Sequence, residues 1–73
     1  MSPQEIQKLN QYLRKKFNLP SLQVRPRPRK DDSAEVYIGD EFIGIIFKDD
    51  EDPGDICYNF QMAILDYDLE TGS

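Results

Sequence analysis

Ala34-Glu35-Val36-Tyr37-Ile38-Gly39-Asp40-Glu41-Phe42-Ile43-Gly44-Ile45-Ile46-Phe47 is the stretch that decides the fold: two apolar-rich runs either side of a Gly-Asp pair. A glycine at the first central position of a two-residue turn adopts φ > 0 without strain, so the stretch predicts a β-hairpin. With Gly39-Asp40 at the turn, Ile38 faces Glu41, Tyr37 faces Phe42, Val36 faces Ile43 and Ala34 faces Ile45. Ala34, Val36, Ile38, Ile43, Ile45 and Phe47 then share one face, which is expected to be the core side. A turn at Asp40-Glu41 keeps the same faces but loses the glycine, and ranks second.

Upstream, Ser2-Pro3-Gln4-Glu5 has the form of a capping box with proline at the first helical position. Ile6, Leu9, Leu13 and Phe17 follow at spacings of three and four, lining one side of a helix expected over Pro3 to Phe17. Arg14, Lys15 and Lys16 complement its C-terminal dipole, Asn18 suits a left-handed stop, and Pro20 blocks continuation. Leu22-Gln23-Val24-Arg25 alternates as a short strand. Pro26 and Pro28 place it at a sheet edge, because proline has no N–H for a ladder.

Downstream, Asp49 to Asp55 is charged and contains Pro53-Gly54, so it reads as an exposed loop. A long last strand is expected next, with Ile56, Tyr58, Phe60, Met62 and Ile64 on the core face. Residues 66–73 are expected to be a loose tail, with a short helical turn around Asp66 to Glu70 as the other option. The whole predicts an α+β fold: one N-terminal helix packed on a four-stranded antiparallel meander sheet, in a single small domain over residues 1–73.

Seventy-three residues form a small core, which at this size rarely supplies more than ~3–5 kcal/mol. One cysteine and no histidine leave no intrachain disulfide and no ordinary zinc site, so oligomerisation is the remaining common support. The net charge of -5 is unevenly spread: residues 1–30 carry +7 and residues 31–73 carry -12. Segregation of this kind is balanced inside one fold, between subunits, or against a partner. The lone Cys57, and the lack of a signal peptide or long apolar run, suit a cytoplasmic setting with no membrane span.

The helix covers one side of the sheet and no second long helix is left for the other. That outer face is expected to carry Tyr37, Phe42, Ile46 and Leu65, too apolar for a wetted surface. These four, with Arg25 and Arg27 as steering charges, are the candidate partner-binding residues. The expected function is a non-enzymatic protein-protein interaction module that forms a homodimer or binds a protein partner. The alternative is a nucleic-acid accessory protein using the basic segment 14–30, against which the acidic remainder weighs. No small molecule, cofactor, metal or catalytic residue is inferred: without histidine, Cys57 lacks the usual partner for thiolate activation.

Glu5-Ile6-Gln7-Lys8-Leu9, Arg27-Pro28-Arg29-Lys30-Asp31-Asp32-Ser33, Glu35 to Gly44, and Tyr58-Asn59-Phe60-Gln61-Met62-Ala63-Ile64-Leu65 together carry a family resemblance. On them the chain resembles a family of short, uncharacterised alphaproteobacterial proteins, a domain of unknown function. The resemblance implies a bacterial, cytoplasmic, single-domain protein and carries no activity or site residue with it. Gly39-Asp40-Glu41-Phe42 is similar to the hairpin signature of diguanylate cyclases, but those domains are more than twice as long and need acids on other strands. The acidic loop does not keep the order of an EF-hand calcium loop, and is expected to be a solvated turn.

Overall fold

Ser2 starts the chain's first element as the capping box requires. Its Oγ accepts from the Glu5 N–H at 3.1 Å, and Glu5 Oε1 accepts from the Ser2 N–H at 3.0 Å. The helix, α1, runs Pro3–Phe17 and stops at Asn18, whose φ of 52° is left-handed. The computed structural model describes residues 1–71. Four strands follow: β1 (Leu22–Arg27), β2 (Lys30–Ile38), β3 (Glu41–Asp49) and β4 (Cys57–Gln61). All neighbours are antiparallel and the spatial order is the chain order, the expected meander. A short helix, α2 (Asp66–Thr71), ends the described chain, and the last two residues of the expected tail, Gly72 and Ser73, lie outside it.

Gly39 holds φ at 60°, and the turn sets Ile38 opposite Glu41 and Tyr37 opposite Phe42. Beyond that point the register departs from strict alternation. Val36 pairs with Gly44 and Ala34 with Ile46, so Ile43 is an extra residue, a β-bulge. One inserted residue exchanges the faces of everything after it. Ile46 therefore turns inward and is only 2% exposed, while Ile45 and Phe47, expected inside, turn outward.

Gly44, the residue after the bulge, lies against β4. A Cβ at this position would lie 2.4 Å from the Gln61 carbonyl oxygen and 2.7 Å from the Phe60 ring, so only glycine lets β4 close against β3. The interior comprises Leu13, Leu22, Val24, Ala34, Val36 and Ile46, with Ile6, Leu9, Ile43 and Phe60 packed around it.

The helix sits toward one side of the sheet, against β1. Asn10 Oδ1 accepts from the Val24 N–H at 2.8 Å, and Arg14 Nε donates to the Leu22 carbonyl at 2.7 Å. At the other side β4 is shorter than expected. Pairing ends at Gln61, so Met62 and Ile64 fall beyond the sheet and are exposed; of the five side chains expected inside, Phe60 alone packs on the core.

Candidate protein-interaction face

Paired residues share a face, so the register places Gln23, Arg25, Glu35, Tyr37, Phe42, Ile45 and Phe47 on the side of the sheet away from α1. At its centre the Arg25 guanidinium lies over the Tyr37 ring, 4.0 Å from the centroid. The Phe42 ring meets Tyr37 edge-on, centroids 5.6 Å apart. Gln23 Oε1 accepts from both Arg25 Nε and Nη2, at 3.2 and 3.0 Å. The Tyr37 hydroxyl donates to Glu35 Oε1 at 3.1 Å, and the hydrogen bond to that carboxylate raises the phenol above its ordinary pKa. The result is a side-chain layer held in place by contacts within the chain.

Beside this layer β3 and the segment after β4 form an open groove of about 980 Å³, lined by Phe42, Ile45, Phe47, Met62 and Leu65 among others. Phe42 stays 50% exposed and Leu65 60%. The expected face is therefore corrected in two places. Ile46 belongs to the core beneath α1 and is replaced by Ile45 and Phe47, and Leu65 lies on the irregular segment before α2, not on a strand. The glycine inside β3 is the sequence signal that points to such a bulge.

The basic residues are partly committed within the chain. Arg14 bonds to β1, Arg25 stacks on Tyr37, and Arg27 Nη1 donates to the Oγ of buried Ser33 at 3.2 Å. In the acidic loop, Asp52 Oδ1 accepts from the Gly54 N–H at 3.0 Å, a bond that holds the turn. Among the described residues no three metal-ligating side chains cluster.

On the helix side a second polar group joins distant parts of the chain. Glu5 Oε2 takes the Lys48 ammonium at 2.7 Å and the Tyr58 hydroxyl at 2.8 Å. With the Lys48 bond the largest cause, followed by the Ser2 amide and then Tyr58, the Glu5 carboxyl falls from 4.5 to about 2. The first turn of α1 is thus tied to β3 and β4. Sequence spacing gives no hint of this contact, because the partners are 43 and 53 residues from Glu5.

Residues 5–68 match the family described as protein of unknown function (DUF3126). The chain belongs to that family. The DUF3126 match begins at Glu5 and takes in the whole sheet and the groove as far as Asp68. Nothing among curated proteins or solved structures matches the chain. Among the described residues no helix is long and apolar enough to cross a membrane.

Proposed function

We propose that this DUF3126 chain is a non-enzymatic protein-protein interaction module that self-associates through its outer sheet face. The observation that carries the reading is that face: Phe42, Ile45 and Phe47 adjoin the ordered Arg25-Tyr37 stack, and no described element packs over them closely enough to bury Phe42. An apolar patch of this kind on so small a domain favours association, and a twofold pair would place the same patch on itself. Arg25 and Glu35 are opposite charges on neighbouring strands of the patch and suit contacts across such an axis.

The setting in this reading is a reducing, alphaproteobacterial cytoplasm, which the lone Cys57 and the family resemblance support. A nucleic-acid role draws less support, since Arg14, Arg25 and Arg27 are spent on contacts within the chain.

Sedimentation equilibrium at micromolar concentration is the test. A species of twice 8.5 kDa that Phe42→Asp reduces to one supports the reading. A species of 8.5 kDa alone, at all concentrations, overturns it.

A further inference from the structure

The two edges of the sheet are treated differently. At β1, side chains of α1 take the outward backbone groups, with Asn10 on the Val24 N–H and Arg14 on the Leu22 carbonyl, while Pro26 and the flanking arginines discourage pairing. At β4 none of this is present among the described residues. The run from Ile56 to Leu65 contains no charge, no proline and no glycine. Every second residue of β4 turns its N–H and C=O away from β3, toward open solvent.

This edge also has a pocket beside it. Because α1 lies over β1, the helix-side surface of β3 and β4 is only half roofed, leaving a cavity of about 280 Å³ lined by Leu9, Tyr12, Leu13, Ile46, Tyr58 and Phe60. A strand added at β4 sits roughly 4.8 Å away and points alternate side chains to this side. Its backbone would bond to the edge, and one large apolar side chain would enter the pocket beside Tyr12 and Tyr58.

Charge selects the occupant. The acidic loop Asp49 to Asp55 leads into β4, and Asp66, Asp68 and Glu70 follow it. A second copy pairing antiparallel here would bring the acidic loop of one against the acidic α2 of the other. An extended segment with bases at both ends meets opposite charge at both.

We propose that β4 is a docking edge for an extended, basic-flanked peptide segment of a partner protein, added as a fifth strand with an apolar side chain in the Tyr12-Tyr58 pocket. This site is separate from the outer face, so the two readings stand or fall independently.

The probe is a synthetic nine-residue peptide: a core of valine, threonine, leucine, threonine and valine between lysine pairs. Titrated into the isotope-labelled full chain, it should slow amide exchange at alternate residues of Cys57–Gln61 and shift the Tyr12 and Tyr58 rings. Replacing its lysines by glutamates should weaken binding roughly tenfold. Tyr12→Ala removes an exposed wall of the pocket at little risk to folding, and should weaken binding roughly fivefold. Four results overturn the proposal. They are no binding at millimolar peptide, equal binding of the glutamate version, perturbation confined to Tyr37 and Phe42, and β4 protection that rises with protein concentration in the absence of peptide.

Discussion

The β1-β2 half of the sheet and the β4 half use similar residues to opposite ends. Leu22, Val24, Ala34 and Val36 are buried under α1, whereas Ile56, Tyr58, Met62, Ile64 and Leu65 lie at the surface. The first half is made of strands with a polar residue between apolar ones, sealed at its edge by Asn10 and Arg14. The second has apolar side chains that no described element buries. A radius of gyration of 13.3 Å and a long dimension of 42 Å reflect this lopsided packing, against about 11 Å expected for a compact chain of this length. Burial is thus concentrated where the helix sits, and exposed apolar surface where it does not.

The largest effect that could break this comparison is at the border between the halves. Ile46→Asp puts an unpaired carboxylate in the core, a cost of several kcal/mol and comparable to the whole stability expected of such a domain. Its neighbour Phe47→Asp lies on the outer face and should cost about 1 kcal/mol or less. Circular dichroism melts should find the first variant unfolded and the second folded. The reverse order would restore strict alternation in β3 and remove the bulge.

Gly44→Ala comes next. The added Cβ meets backbone at Gln61, which cannot move aside as a flexible side chain would, so a loss of about 1–3 kcal/mol is expected in urea unfolding. Amide exchange should rise first in β4, because the atoms nearest the new methyl group belong to Gln61 and Phe60. Uniform loss across the sheet would show that the halves are one cooperative unit.

Glu5 spans the two halves, and its contribution depends on pH. The folded-state carboxyl at about 2 lies below its ordinary 4.5, so the unfolded chain takes up the proton first as pH falls. The stabilisation is therefore complete above pH 4.5 and disappears toward pH 2. At neutral pH Glu5→Gln should cost about 1 kcal/mol, as expected for a partly exposed, hydrogen-bonded ion pair. The gap between wild type and variant should close across that acid window; a constant gap would assign the loss to the helix cap alone. Smallest of all is Leu65→Ser, expected to change stability by less than about 0.5 kcal/mol because the side chain is already exposed. A larger loss would mean that the groove segment packs in solution and that the halves are less unequal.

Sequence alone determined the elements whose causes are local. The capping box at Ser2, the stop at Asn18, the turn at Gly39 and the prolines that place β1 at an edge all act within a few residues, and each is where the residues indicate. Tyr37 and Phe42, next to the turn, were legible for the same reason. Tertiary structure alone decided which of Ile45 and Ile46 is inside. From Phe42 to Phe47 every residue is apolar or glycine, so a shift of one leaves the pattern equally satisfied. The choice comes from β4 approaching Gly44 and from the space beneath α1. A large apolar side chain at every second position from Ile56 to Ile64 hid where β4 ends, and only the placement of the helix over β1 settled which of them have a roof.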